Sequence, residues 1–97
     1  MTIHVYMLRC ADDSFYVGST SDSLEARIAK HNIGHHRGYT FSRRPVRLVW
    51  SQHFDRTIDG IAAERQLKGW SRAKKEALIR SDWQSVMQLA RRRGGKD

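Results

Sequence analysis

Two tyrosines stand near the start of the chain, each inside a short run of apolar residues. Tyr6 lies in VYM and Tyr16 lies ten positions later in YVG, with the polar segment ADDS between the two runs. A phenol can orient or deprotonate a water molecule, and two phenols on one face of a hairpin could serve a single site. The alternative is that both are ordinary strand residues that pack in a core.

Three further side chains could complete such a site. Arg27 and His31 are four residues apart in a segment of helical pattern, so they share one helix face, and Glu64 lies among small and apolar neighbours in GIAAERQLKGW. A guanidinium neutralises phosphate, an imidazole carries protons, and one carboxylate with several waters suits a divalent ion. The set is what a one-metal phosphodiesterase needs. The alternative for Glu64 is a surface ion pair with Lys68.

The register of the predicted hairpin decides whether the two phenols meet. A two-residue turn at Asp12 and Asp13 would put Tyr6 and Tyr16 on opposite faces, because side chains alternate along a strand. A loop of odd length or a bulge would bring them to one face. The chain lacks the Asn-Gly or Asp-Gly pair of a tight turn at this place, which favours the longer loop. The interpretation in which both phenols serve one site therefore predicts an odd offset.

The chemistry also sets a requirement for the phenol that acts as base, for which we favour Tyr6. A free phenol with a pKa near 10 is only about one thousandth ionised at pH 7. A tyrosine base therefore needs positive charge beside it, and Arg27, His31 or the metal ion is expected to supply that charge.

The pattern of apolar residues predicts the strands that hold these side chains. Segments 3–10 and 14–20 are typical of an antiparallel hairpin, and the first is apolar on both faces, as expected for a central strand. A third strand is predicted over 46–54. In this segment Val46, Leu48 and Trp50 alternate with Arg47, Val49 and Ser51.

Helical patterns follow the hairpin and the third strand, over about 22–34, 57–69 and 72–80. Asp22 with Glu25 forms a capping-box pattern, Gly34 can end the first helix, and Ser71 and Ser81 are the expected caps of the later ones. The predicted fold class is α+β, a small three-stranded, mainly antiparallel sheet flanked by helices in the order ββαβαα, with a further C-terminal helix after Ser81.

A basic loop separates the first helix from the third strand. Segment 35–44, HHRGYTFSRR, interleaves cationic and aromatic side chains, a composition suited to gripping phosphates and stacking on bases. The alternative is a basic loop that only faces solvent. The predicted nucleic-acid-binding residues, which Lys68 joins, are His35, His36, Arg37, Tyr39, Arg43 and Arg44.

Charge and composition narrow the class of protein. Eighteen Lys and Arg against ten acidic residues give a net charge of +8 over 97 residues, which indicates a polyanionic partner. No segment has the length of a membrane span or the two faces of a membrane-lying helix. Cys10 alone cannot form an internal disulfide and suits a reducing cytoplasm. We expect one domain over 1–90 and a flexible basic tail over 91–97.

These residues occur in an order that resembles the GIY-YIG nuclease family. VYM and YVG are followed by Arg27 and Glu64, and the resemblance continues through KHNIG, YTFSRRPVRLVW and AAERQLKGWSRAKKEALI, from about residue 3 to residue 80. It is most similar to the small stand-alone bacterial members. The resemblance implies hydrolysis of phosphodiesters, DNA rather than RNA, with one Mg²⁺ or Mn²⁺ ion held by Glu64. The catalytic residues that it implies are Tyr6, Tyr16, Arg27, His31 and Glu64.

Departures from the family pattern keep two other hypotheses open. His4 replaces the glycine of the first tripeptide, Ser19 and Thr20 stand where several relatives carry a basic residue, and no asparagine follows Asn32. The second hypothesis is a non-catalytic nucleic-acid-binding accessory protein that retains the nuclease fold. The third is a protein-interaction module whose charge serves solubility. Relatives usually carry a separate DNA-binding domain, so a protein partner is expected to help select the substrate.

Overall fold

The computed structural model describes residues 2–82 and 84–87 of the chain. Within these ranges the predicted α+β fold and its order ββαβαα are confirmed. The elements are β1 (Ile3–Arg9), β2 (Phe15–Thr20), α1 (Leu24–Asn32), β3 (Arg47–Phe54), α2 (Thr57–Lys68) and α3 (Arg72–Ile79). Residues 84–87 are also helical, whereas the predicted tail over 91–97 lies outside the described residues. In the described ranges no helix is long and apolar enough to cross a membrane.

The central strand explains why the first segment is apolar on both faces. The sheet order is β2-β1-β3, with both neighbours antiparallel to β1. Tyr6 and Leu8 face the side of the sheet where Leu24 and Ile28 of α1 pack. Val5 and Met7 face the other side, where they pack against buried residues of α2 and α3, Leu67, Ala77 and Leu78. The sheet is therefore covered by helices on both faces.

A bulge breaks the alternation that was predicted for β3. Met7 pairs with Trp50 but Leu8 pairs with Leu48, so Val49 is the extra residue. Val49 and Trp50 consequently both pack against the core under α2 and α3. Leu48, which alternates with Val49 in the predicted pattern, is 38% exposed. A period-two pattern cannot reveal the bulge, because it depends on how the partner strand pairs.

Two helix caps differ by one residue from the predicted ones. Ser23, rather than Asp22, caps α1, and its hydroxyl accepts a hydrogen bond from a main-chain N–H at 3.1 Å. Asp82, rather than Ser81, accepts from a main-chain N–H at 3.1 Å where residues 84–87 become helical. Ser71 does cap α3, as predicted. In each corrected case the neighbouring polar residue was an equally good cap by type.

Local contacts fix both ends of the basic loop, residues 35–44. Gly34, with φ of +81°, follows the end of α1 in the left-handed conformation that glycine adopts readily, as predicted. The side chain of Asn32 accepts a hydrogen bond from the N–H of Val46 at 2.7 Å and donates one to its carbonyl at 3.0 Å. The end of α1 is thus tied to the start of β3, which brings the intervening loop back over the α1 face of the sheet.

Candidate active site

The hairpin loop has the odd length that brings the two phenols together. Arg9 pairs with Phe15, so residues 10–14 form the loop. In the ladder Tyr6 lies opposite Gly18, and Leu8 lies opposite Tyr16. The tyrosines therefore share one face of the sheet, with ring centroids 6.4 Å apart. The predicted odd offset is confirmed.

Gly18 makes room for the Tyr6 phenol. A Cβ atom built on Gly18 would lie 2.7 Å from Tyr6 Oη, closer than real Cβ atoms approach, and 3.0 Å from Tyr16 Cε2, which is a tight contact. The Tyr6 ring therefore extends from the central strand over the bare backbone of the edge strand. The glycine of YVG is required here for close approach, since its φ is not in the left-handed region.

His31 and Thr40 form a buried hydrogen-bonded chain with Tyr6. His31 Nε2 lies 3.0 Å from Tyr6 Oη, and His31 Nδ1 lies 2.8 Å from Thr40 Oγ1. Tyr6 and Thr40 are each 1% exposed, and His31 is 2% exposed. The Tyr16 ring also meets the His31 ring edge-on, with centroids 5.4 Å apart. Sequence reasoning did not single out Thr40, because a threonine in a polar loop carries no chemical signal by itself.

Burial, rather than nearby charge, has the largest effect on the pKa values of Tyr6 and His31. Burial and then the neighbouring Tyr16 raise the pKa of Tyr6 to about 12, although the charge of Arg27 acts in the opposite direction. Burial and then the charges of His36 and Arg27 lower the pKa of His31 to about 4. At neutral pH the pair is therefore a neutral phenol and a neutral imidazole. Arg27 does stabilise a Tyr6 phenolate, as expected, but burial outweighs it. The positive charge expected on His31 is absent at neutral pH.

Two nitrogen atoms beside this chain are buried and lack a partner. Within the described residues, Arg27 Nε and His36 Nε2 are the buried side-chain polar atoms without a hydrogen bond. The His36 ring lies 4.7 Å from the His31 ring, and Arg27 interacts with the Tyr6 phenol. Arg27 and His31 thus both turn from α1 towards the phenols, as their four-residue spacing predicts.

Glu64 reaches the edge strand from the opposite face. Ser19, the residue after Gly18, donates its hydroxyl hydrogen to Glu64 Oε1 at 2.7 Å. Lys68 Nζ lies 2.9 Å from Glu64 Oε2, and its side chain is 53% exposed while that of Glu64 is 18% exposed. Two adjacent residues of β2 therefore contact the two parts of the site. Gly18 lies next to the Tyr6 phenol, and Ser19 binds the Glu64 carboxylate. Lys68, predicted to bind nucleic acid, is engaged in the ion pair that was the alternative interpretation of Glu64.

The donor set near Glu64 limits the kind of metal site. Among the described residues, no group of three or more His, Cys, Asp or Glu side chains could enclose a metal ion. One partly exposed carboxylate nevertheless fits Mg²⁺ or Mn²⁺, since Mg²⁺ keeps several of its waters and needs only one or two protein carboxylates. Lys68 is flexible and half exposed, so it can leave Oε2 for a cation.

The basic loop adds aromatic and cationic layers beside Tyr16. The Tyr39 ring stacks on the Tyr16 ring with centroids 6.0 Å apart, and the guanidinium of Arg43 lies 3.9 Å from the Tyr39 centroid. Arg37 and Arg44 lie against the Phe41 ring, at 4.6 Å and 4.4 Å. The His35 ring meets that of His36 edge-on at 5.1 Å. The residues predicted for nucleic-acid binding, Lys68 apart, thus lie in one loop. Within it the His36 ring lies beside the His31 ring, and the Tyr39 ring lies against the Tyr16 ring.

A known family model, several relatives and two solved structures match this chain. The model of the GIY-YIG catalytic domain matches residues 2–77. The chain belongs to the GIY-YIG family. A UPF0213 protein of Natronomonas pharaonis is 42% identical over 76 residues, which cover 78% of this chain and 88% of that protein.

Two solved structures also align with the chain. The solution NMR structure of a UPF0213 protein from Bacillus halodurans is 40% identical, with a TM-score of 0.54 over 81% of this chain and 83% of that one. The solution NMR structure of a protein from E. faecalis is 32% identical, with a TM-score of 0.58 over 84% of this chain and 85% of that one. The fold and the family are therefore shown over most of the chain.

Membership of the GIY-YIG family gives the site its general chemistry. The family is one of nucleases, which act on nucleic acid and generally use a divalent metal. One departure also finds a structural explanation. Ser19, which stands where several GIY-YIG relatives carry a basic residue, holds the Glu64 carboxylate here.

Proposed function

We propose that this protein is a metal-dependent endonuclease that hydrolyses phosphodiester bonds in DNA. The observation that supports this most is the buried Arg27 Nε beside the Tyr6 phenol, which has no partner among the described residues. A buried donor without an acceptor is unfavourable by about 1–3 kcal/mol. A phosphate oxygen is an acceptor that a guanidinium binds strongly, and a phosphate bound there would lie beside Tyr6.

In this proposal Tyr6 and His31 move the proton of the attacking water together. Tyr6 Oη accepts a proton from the water as its own hydrogen passes to His31 Nε2, 3.0 Å away. The water oxygen forms a bond to phosphorus while Arg27 neutralises the charge on the phosphate. The leaving oxygen departs with the electron pair of the broken P–O bond and takes a proton from solvent water. The relay avoids a standing phenolate, which a pKa of about 12 makes rare at neutral pH. Tyr16 orients the water.

Glu64 would hold the divalent ion, Mg²⁺ or Mn²⁺, with water as the other ligands. When bound, the ion supplies Lewis-acid chemistry, which polarises the phosphate and stabilises the leaving oxygen. Ser19 keeps one carboxylate oxygen oriented by its hydrogen bond. Lys68, once displaced from Oε2, carries an ammonium group that can meet a phosphate, in keeping with its predicted nucleic-acid contact.

The basic loop is the proposed nucleic-acid-binding surface. His35, His36, Arg37, Tyr39, Arg43 and Arg44 combine charge with stacked rings next to Tyr16, and the whole chain carries a net charge of +8. Phosphate contacts of this kind give affinity without sequence preference. We infer DNA rather than RNA as substrate, a protein partner that selects it, and action in the cytoplasm, where the buried Cys10 thiol stays reduced.

A cleavage assay with matched variants tests the proposal. Wild type, Glu64→Gln and the control Glu25→Gln, which changes an exposed carboxylate on α1, are incubated with labelled single-stranded, duplex and branched DNA and with RNA. We expect cleavage with Mg²⁺ or Mn²⁺ by wild type and Glu25→Gln, and none with EDTA or by Glu64→Gln. Cleavage that continues in EDTA or in Glu64→Gln would refute this assignment.

The Lys68–Glu64 ion pair favours a second candidate function. At 2.9 Å the ammonium already satisfies the carboxylate that would bind metal, as expected of a non-catalytic nucleic-acid-binding protein that retains the fold. This candidate predicts that wild type and Glu64→Gln bind DNA equally and that neither cleaves it. Binding that is weak and insensitive to salt would instead favour a protein-interaction module.

A further inference from the structure

The hydroxyl of Thr40 forms a hydrogen bond with His31 rather than with the main chain of the turn that it begins. Thr40 begins the short 3-10 turn Phe41–Arg43, a position where a threonine commonly caps the turn, but its side chain makes no such bond. Its Oγ1 lies 2.8 Å from His31 Nδ1 instead, and Thr40 is 1% exposed. The loop thus delivers one buried hydroxyl to the far side of the imidazole from Tyr6.

The position of the imidazole proton depends on this chain of bonds. A neutral imidazole carries one hydrogen, so one ring nitrogen donates and the other accepts. If Nδ1 carries the hydrogen, it donates to Thr40 and Nε2 accepts from Tyr6. If Nε2 carries it, Nε2 donates to the Tyr6 oxygen and cannot receive a proton from it.

Arg27 favours the first arrangement. A guanidinium has only donors, so its interaction with the Tyr6 phenol uses a lone pair of the phenol oxygen and leaves the O–H free to donate. The acceptor placed for that hydrogen is His31 Nε2, at 3.0 Å. With Nε2 accepting, the hydrogen of the ring lies on Nδ1 and the Thr40 oxygen must accept it.

We propose that Thr40 is a positioning residue that fixes His31 in the Nδ1-protonated tautomer, with Nε2 aimed at Tyr6 as the proton acceptor. The inference rests on the proposed nuclease function for its catalytic consequence. The tautomer itself is a property of the protein without substrate. Thr40 acts on the reaction only through His31, and on Tyr6 only through the imidazole.

The first test needs no variant of Thr40. Long-range ¹H–¹⁵N correlation spectra of ¹⁵N-labelled wild type at neutral pH distinguish a protonated ring nitrogen from an unprotonated one, and His31→Gln assigns the His31 signals among the five histidines. We expect the hydrogen on Nδ1. A His31 that carries it on Nε2 would overturn the proposal, whatever the activity.

The second test compares Thr40→Val, which removes the hydroxyl but keeps the branched shape, with Thr40→Ser, which keeps the hydroxyl. We expect Thr40→Val to move His31 towards the Nε2-protonated form and to lower kcat about 10²-fold at unchanged KM, and Thr40→Ser to retain the tautomer and most of kcat. Thr40→Val with unchanged tautomer and kcat would overturn the proposal.

These outcomes separate the inference from the function on which it rests. If the wild type cleaves DNA but its His31 is Nε2-protonated, the role proposed for Thr40 is refuted and the proposed nuclease function stands. If His31 is Nδ1-protonated in a way that depends on the Thr40 hydroxyl, but the protein cleaves no substrate, the proposed nuclease function is refuted. The role of Thr40 in setting the tautomer then stands.

Discussion

Gly18 and Tyr6 face each other across the β1–β2 ladder, and the absence of a side chain on Gly18 is what lets the phenol lie over the edge strand. The Tyr6 hydroxyl thereby comes within 3.0 Å of His31 Nε2. The next residue of β2, Ser19, holds Glu64 from the other face of the sheet. One dipeptide of the edge strand therefore sets the position of both the proton relay and the carboxylate.

Replacing Gly18 by Ala should displace Tyr6 and Tyr16, since the new Cβ would lie 2.7 Å from Tyr6 Oη. We expect a stability loss of about 1–3 kcal/mol from overpacking and a fall in kcat of about 10²-fold from misplacement. Gly38→Ala is the matched control, because nothing lies within 4 Å of a Cβ there. Urea unfolding and single-turnover cleavage measure the two effects. Equal behaviour of the two variants would contradict the role assigned to Gly18.

Lys68→Gln should strengthen metal binding, because Lys68 competes for Glu64 Oε2 at 2.9 Å. Two unit charges about 4 Å apart interact by roughly 1 kcal/mol in water, so the expected gain in Mn²⁺ affinity is about fivefold. Titration of free Mn²⁺ by electron paramagnetic resonance provides the measurement. Arg65→Gln removes the same charge from the same helix and should change the affinity less. An unchanged affinity in Lys68→Gln would show that the Lys68 ammonium does not compete with the metal ion for the Glu64 carboxylate.

The buried His31 should make the protein lose stability as the pH falls. Its pKa is lowered from 6.5 to about 4 in the folded chain, so the unfolded chain takes up the proton first. Stability is therefore full above pH 6.5 and declines down to about pH 4, by at most about 3 kcal/mol.

Urea unfolding between pH 7 and pH 4 measures this decline, and His31→Gln should flatten it. A smaller slope will remain, because the pKa of His36 is lowered as well. The stabilising carboxylates Asp12 and Asp82 have lowered pKa values, so their contribution is lost only below about pH 3.8. Identical slopes in wild type and His31→Gln would mean that His31 is not held neutral by burial.

Tyr6 should titrate at a higher pH than a free tyrosine. Burial raises its pKa from 10.0 to about 12, so its contribution to stability is present below pH 10 and is lost as the pH rises towards 12. Absorbance at 295 nm follows each phenolate as it forms. Tyr6→Phe should remove the late step, whereas Tyr39→Phe should leave it in place. If the late step remained in Tyr6→Phe, the phenol with the raised pKa would belong to a tyrosine other than Tyr6.

Arg37 should contribute to DNA binding through charge that is exposed beside Phe41. Arg37→Gln is expected to weaken binding a few-fold for all sequences and to reduce the slope of log affinity against log salt by about 0.7–0.9. Arg56→Gln, with the same change of charge at the start of α2, is the control. If both variants bind equally weakly, net charge rather than the loop attracts the nucleic acid.

Much of this protein could be predicted from its sequence because the signals were local. Apolar alternation gave the strands, and four-residue spacing put Arg27 and His31 on one face. The lack of a tight-turn pair at Asp12 and Asp13 predicted the odd loop, and the order of tyrosine, arginine and glutamate pointed to the GIY-YIG family. Each of these features depends on a few neighbouring residues, so no tertiary contact was needed to read them.

The tertiary structure alone decided the features that depend on distant contacts. The bulge at Val49 comes from pairing with β1, the Glu64–Ser19 bond joins residues 45 apart, and Thr40 meets His31 only because the loop folds back. The protonation of Tyr6 was also decided there, since the sequence predicted positive charge that would stabilise a phenolate, while burial in the assembled core raises the pKa of Tyr6. Burial is a property of the whole packed chain, and no local pattern of residues determines its extent.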